Sequence, residues 1–224
     1  MKKFLSISAL TLAAALIALP ATAAQVQVPN SNLPPNTDYL SPADIHAAIN
    51  SGAVEWARGD ARHRHFFNIT TTPGGVLGGD IERFDSILEF KFTGVGPLQG
   101  WSRTISVPAK VETHTGPRRK DDPVQSFDTV MYRIQGELKN DKDFESFSIV
   151  AGTGNGLESP GHTTFYKQRD GSWLVDSHFN IKYVGTYKGA QGGKLDGLSG
   201  NIEGTITMVA VKPGTSSAAV KVSK

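Results

Sequence analysis

Phe84-Asp85-Ser86-Ile87-Leu88-Glu89-Phe90-Lys91-Phe92 places Phe84, Leu88, Phe90 and Phe92 on one side of an extended chain and Asp85, Glu89 and Lys91 on the other. Successive strand side chains point to opposite faces, so a period of two with one apolar face marks a half-buried strand. The same period returns along most of the chain. Ile105, Val107, Ala109 and Val111 alternate with Ser106, Lys110 and Glu112, and Val130, Tyr132, Ile134 and Leu138 alternate with Arg133, Gln135 and Glu137. Phe179, Ile181, Tyr183 and Tyr187 alternate with Asn180, Lys182 and Lys188, and Ile202, Ile206 and Met208 with Glu203, Thr205 and Thr207. Phe147, Ile149 and Ala151 make a shorter run, and 66–71, 163–168 and 173–176 read as weaker strands.

Turn chemistry separates these runs at Thr72-Pro73-Gly74-Gly75, Gly94-Val95-Gly96-Pro97, Asn140-Asp141-Lys142-Asp143, Arg169-Asp170-Gly171 and across 189–200. No strand alternates with a helical pattern, which excludes a parallel sheet. The expected fold is all-β: an antiparallel up-and-down barrel of lipocalin-like build or a two-sheet sandwich, with the barrel preferred because the strands are long. A lipid-facing barrel fits poorly, because the polar faces carry Lys, Glu, Arg and Asp with no clear lipid-facing girdle.

Upstream of the β region the pattern changes. Residues 24–40 are rich in Pro and Asn without periodicity and read as an extended arm. Ser41 as N-cap, Pro42 at the first helical position, Asp44 in the first turn and the apolar Ile45, Ala48 and Ile49 predict one short N-terminal helix over 41–52. Residues 53–211 form a single β domain, and 212–224, with Lys212, Lys221 and Lys224 and no acid, a flexible basic tail.

The first residues carry an address. Lys2 and Lys3, a run from Phe4 to Leu19 interrupted only by Ser6, Ser8 and Thr11, then Pro20 before Ala21-Thr22-Ala23, make the charged, apolar and small-residue order of a signal peptide over 1–23. The expected location is therefore secreted or periplasmic, with no membrane span in the mature form. Losing Lys2 and Lys3 leaves 21 basic side chains against 21 acidic ones, so the mature chain is neutral and nucleic acid is not an expected partner. With no Cys there is no disulfide framework, no thiolate nucleophile and no Cys-held metal.

Chemistry-bearing residues are sparse. His63 and His65 stand at i and i+2, where a regular strand would point both the same way and let them share a metal with His114, His162 or His178 as third ligand. Arg58, Arg62 and Arg64 around them support the competing reading of a solvated basic edge. In Asp176-Ser177-His178 the serine must face away from its neighbours, so these three cannot form a triad on one strand. Neither Gly152-Thr153-Gly154-Asn155-Gly156 nor Gly189-Ala190-Gln191-Gly192-Gly193-Lys194 has the spacing of a phosphate-binding loop. Asp141, Asp143 and Glu145 read as a solvated acidic turn rather than a calcium loop, and Arg118-Arg119-Lys120-Asp121-Asp122 as an exposed, self-neutralising hairpin tip. No cofactor is implied.

The stretches Asp122-Pro123-Val124-Gln125-Ser126-Phe127-Asp128-Thr129, Ser159-Pro160-Gly161-His162-Thr163-Thr164, Val175-Asp176-Ser177-His178-Phe179-Asn180-Ile181 and Leu198-Ser199-Gly200 together resemble an uncharacterised group of exported bacterial all-β proteins. The resemblance spans about Asp80 to Met208. It implies one exported β module and transfers no catalytic or binding residue. The leading expectation for function is a non-enzymatic exported β protein that binds a small apolar or sugar ligand or an extracellular partner surface. The alternatives are a small barrel enzyme of isomerase or cyclase type, with groups scattered over several strands, and an extracellular structural or matrix subunit.

Overall fold

The computed structural model describes residues 25–42, 47–51 and 54–216. The leader expected over 1–23, and the basic tail from 217 onward, lie outside the described residues. Eleven strands follow one another: β1 (Val26–Val28), β2 (Asp38–Leu40), β3 (Ala47–Ser51), β4 (Val54–Pro73), β5 (Asp80–Gly94), β6 (Ser102–Thr115), β7 (Val124–Lys139), β8 (Phe144–Ala151), β9 (Pro160–Lys167), β10 (Trp173–Gly189) and β11 (Ser199–Val211). Single turns of 3-10 helix at Gly96–Leu98 and Thr153–Asn155 are the only helical pieces among the described residues.

All strands join one antiparallel, partly ringed sheet in the order β1-β10-β11-β2-β4-β5-β6-β7-β8. Two positions in it are filled by pairs of short strands. β8 lies between one half of β7 (Ile134 to Lys139) and one half of β10 (Tyr183 to Gly189), while β9 lies between the other halves, Val124 to Val130 and Trp173 to Ser177. In the same way β2 bridges β11 and β4, and β3 continues along β4.

The strand over 84–92 behaves as its alternation requires. On β5 the residues Glu82, Phe84, Ser86, Leu88, Phe90 and Phe92 are buried, and those between them are not. One end of the interior is aromatic: Phe90, Phe92, Phe144, Phe147 and Tyr187 form a chain of ring contacts with centroids 5.5 to 6.4 Å apart. Leu195, fully buried in the 190–198 loop, belongs to the same core. Burying each such ring contributes about 1.5–3 kcal/mol, so this end is the anchor of the fold. The outer surface carries cross-strand ion pairs such as Arg64 with Glu89 (2.5 Å) and Arg83 with Glu112 (2.9 Å).

Three features depart from the sequence reading. The helix expected over 41–52 is not seen among the described residues: Ala47–Ser51 is strand β3, paired with β4 from Ala47 opposite Gly59 to Ser51 opposite Val54, and Ile49 is fully buried. Residues 43–46 and 52–53 lie outside the described residues. Good capping residues are a weak local preference, and pairing with a neighbouring strand overrides it. The arm expected over 24–40 is packed, with Val26, Val28, Leu33, Tyr39 and Leu40 buried and β1 and β2 joined to the sheet. Finally β7 changes phase. The alternating buried positions are Gln125, Phe127, Thr129 and Met131, then Ile134 and Gly136, with Val130 buried as well, because Tyr132 is an extra residue between the pairs Thr113 with Met131 and Glu112 with Arg133.

Among the described residues no helix is long and apolar enough to cross a membrane.

Candidate functional site

Opposite the aromatic end, the interior turns polar. β5 continues its buried face past Phe84 to Glu82, β6 brings Thr113 and Thr115, β7 Thr129, β9 Thr163, β10 Ser177, β4 His63 and β2 Tyr39, all buried. All of these but Ser177, together with Phe66, Phe84, Met131, Phe179, Ile181 and Met208, line a cavity of about 30 Å3. Leu33, Pro34 and Pro35 of the N-terminal segment also line it. The space is narrow enough that a ligand larger than a few waters requires these side chains to move. A second apolar void of about 40 Å3 lies beside it, walled by Leu88, Phe90, Ile134 and Tyr183, and shares His63, Ile181 and Met208 with the first.

Glu82 is the most unusual group there. Its side chain sits among β4, β5 and β6, opposite Thr71 and Thr113. Thr113 Oγ1 donates to Glu82 Oε2 (3.1 Å), while Oε1 is buried without a partner. Burial pushes the carboxyl up to about 7; the Thr113 bond and the charges of Arg118 and Lys120 pull it down, and Asp80 pushes it up. An unpaired oxygen in a buried carboxyl is costly unless a proton, water or ligand meets it. Thr129 Oγ1, on the same cavity wall, is also buried without a partner.

Tyr39 Oη lies 2.9 Å from Ser177 Oγ, and Ser177 Oγ lies 2.7 Å from Thr163 Oγ1. Desolvation raises the Tyr39 phenol far above its ordinary value, so it stays protonated. His63 Nε2 is 2.7 Å from Ser86 Oγ, and the ring stands edge-on to Phe66 with centroids 4.9 Å apart. Burial lowers His63 to about 3, so the imidazole is neutral at physiological pH.

Arg118 connects this site to its cover. Instead of lying exposed with the rest of the hairpin tip, it turns inward over the Phe127 ring (5.4 Å) and donates to the Ser31 carbonyl (2.7 Å) and to Gln125 Oε1 (3.3 Å). Burial lowers its pKa while Glu82 and Asp80 raise it, which places its charge within reach of both carboxyls.

The structure does not bring His63 and His65 together. Register shifts follow Arg64, and His65 has a φ of 55°, so the i, i+2 rule for a regular strand fails: His63 is buried and His65 exposed. Of the three histidines that could have supplied a third ligand, His114 and His162 are engaged elsewhere. His114 accepts from Val76 N at Nδ1 (3.2 Å), faces Glu112 at Nε2 (2.8 Å) and stacks on Tyr132. His162 lies between Asp128 Oδ1 and Ser126 Oγ, each 2.9 Å away, but on the outer face, where Asp128 is 79% exposed and water competes for every bond. Among the described residues no three His, Asp or Glu are placed to hold one metal. The acidic turn is answered by Arg103, which bonds Asp141 and lies 3.4 Å from Asp143, and by Lys194 N on Asp143 Oδ1 (3.0 Å). Ser177 faces inward away from Asp176 and His178, as strand geometry demands.

Glu82 and Ser177 escaped the sequence reading, although a signal existed. Glu82 is two residues before Phe84 and therefore shares the parity of the apolar face; Ser177 has the parity of Val175 and Phe179. A polar residue in phase with an apolar stripe is the pattern to search for.

Fold and site together define an antiparallel all-β protein with a small interior void lined by Glu82, one of whose two carboxyl oxygens has no partner. Compared with family models, curated proteins and solved structures, the chain matches none.

Proposed function

We propose that this chain is an exported up-and-down β-barrel that binds a small, largely apolar ligand carrying one polar group. The barrel reading is supported by the chain of pairings that leads from β4 through β5, β6, β7, β8, β10, β11 and β2 back to β4. One observation carries the binding reading: aromatic and aliphatic side chains share the cavity wall with buried polar ones, and two of the lining residues, Glu82 and Thr129, each hold a buried oxygen without a partner. Ligand sites combine these two elements, an apolar lining for affinity and a few convergent polar groups for orientation. A structural subunit would gain nothing from leaving buried oxygens unpaired.

The neutral fluorophore N-phenylnaphthylamine, which brightens in dry apolar surroundings, tests this. The protein should bind it saturably, and Met208→Trp should weaken binding at least about 10-fold, because Met208 walls both voids and a larger ring fills them. Ile181→Phe, a smaller change on the same shared wall, should act in the same direction. Unaltered binding in two folded variants would place the ligand elsewhere.

Export is supported by the Lys2-Lys3 start and the apolar run that follows it. Mass spectrometry of protein recovered outside the cytoplasm should find a mature chain beginning at Ala24 or Gln25. A retained Met1 would remove the secreted or periplasmic assignment.

A further inference from the structure

Resting on the binding reading, we propose that the cavity is a catalytic site in which the Glu82 carboxylate moves a proton between two carbons of a small, neutral, apolar ketone. The hydroxyl chain of Tyr39, Ser177 and Thr163 holds the enolate oxygen.

The cavity supplies both halves of such a reaction. The base is Glu82 Oε1, buried, unpartnered and on the cavity wall, while Thr113 fixes the other carboxyl oxygen and hence the plane of the group. The donor follows from counting hydrogens. Three hydroxyls carry three hydrogens, and the contacts between Tyr39, Ser177 and Thr163 use two. Directed from Thr163 through Ser177 to Tyr39, the chain leaves the Tyr39 hydrogen free; reversed, it leaves that of Thr163. Both residues line the cavity. Glu82, Tyr39 and Thr163 all line this one cavity, so base and donor border the same space. The neutral His63 adds no charge that would trap the carboxylate as an ion pair.

The substrate class follows from the walls. Phe66, Phe84, Phe179, Met131 and Met208 favour an uncharged apolar body, and a carboxyl that titrates near neutrality suits removal of a proton beside a carbonyl. In the forward step Glu82 takes the proton from the carbon next to the carbonyl. The C–H electron pair becomes a C=C bond, and the carbonyl π pair moves to oxygen, where the hydroxyl donor meets it. Protonated Glu82 then returns the proton two carbons further along a neighbouring double bond. The double bond moves into conjugation, every atom is conserved, and no oxidant or reductant is needed.

The charged and titratable groups around Glu82 are Asp80 on its own strand, Arg118 and Lys120 from the loop between β6 and β7, Tyr39 from β2 and His63 from β4. Glu82 itself should titrate near neutrality.

The probe is β-isophorone, whose conversion to the conjugated α-isomer is read by ultraviolet absorbance. The full chain without its leader should accelerate this above buffer. Glu82→Gln should lower the rate by about 100-fold or more. Glu82→Asp should retain part of the rate. Protein that binds the fluorophore but leaves β-isophorone untouched, or Glu82→Gln turning over at the parent rate, overturns catalysis and leaves the binding reading intact. Loss of fluorophore binding by the parent would overturn the binding reading itself. Should Glu82→Gln not fold, the parent's pH profile decides: a rate rising through about pH 7 supports Glu82 as base, and a flat profile overturns it.

Discussion

Between pH 4.5 and 6.5 the pair Glu82 and His63 should leave stability nearly level, and replacing either one should tilt the curve in opposite directions. Glu82 moves from an ordinary value of 4.5 up to about 7 on folding, so between these values the folded chain holds a proton that the unfolded chain has lost. Its contribution is fully present below 4.5 and is lost as pH rises through 7. His63 moves from 6.5 down to about 3, so between those values the unfolded chain holds the extra proton. Its contribution is present above 6.5 and is lost as pH falls through 3. Each slope is about 1.4 kcal/mol per pH unit, and where the windows overlap they cancel.

Glu82→Gln removes the falling limb. Its stability relative to the parent should therefore rise with pH by roughly 3 kcal/mol across the Glu82 window. His63→Gln, which keeps a partner for Ser86, removes the rising limb. Relative to the parent it should lose roughly 5 kcal/mol as pH rises across the His63 window. Urea unfolding of the three proteins from pH 3 to 8 measures both, and difference curves cancel the carboxylates common to all. Parallel curves would mean that neither side chain is buried as described.

The second large effect lies at the opposite end of the molecule. A Cβ on Gly189 would stand 1.7 Å from the Leu195 carbonyl oxygen and 2.4 Å from its carbon. Backbone cannot yield as a flexible side chain can, so Gly189→Ala must push the 190–198 loop outward and draw Leu195 from the core. The loop has little slack, since Gly189 N bonds Leu198 O (2.8 Å) and Ala190 N bonds Asp143 O (2.9 Å). The expected loss is about 3 kcal/mol or more, a drop in Tm of roughly 6–12 °C for a chain of this size. Gly192→Ala serves as the control. Its φ is +76° but nothing lies near a new Cβ, so it should cost only about 1 kcal/mol. Equal stability of the two variants would remove the loop from the core.

The strands were legible wherever both neighbours of a segment are regular. β5, β10 and β11 keep one parity along the buried stretches read from the sequence, and the turns after Pro73, Lys139 and Lys167 fall where Gly, Asp and Asn cluster. Parity fails at bulges. His65 leaves the face of His63 through a register shift in β4, and the extra residue Tyr132 exchanges the faces of β7 between Met131 and Ile134. Neither shift has a Gly or Pro at the site to announce it. The segment 41–52 shows the same limit from another side, since Ser41-Pro42 is a sound helix start that carries no information about the β4 strand alongside.

Alternation alone determined that this chain makes antiparallel strands with one buried face, because the two-residue period is a property of the local backbone and survives in any tertiary setting. Tertiary structure decided what that face encloses. Glu82, Ser177 and Tyr39 are far apart in sequence, and each is an unremarkable polar residue on a strand of its own. Only the pairings that join β2, β4, β5 and β10 to their neighbours take water away from all of them together. Desolvation is a collective property of the surrounding strands, and it turns an ordinary carboxyl into one that titrates near neutrality.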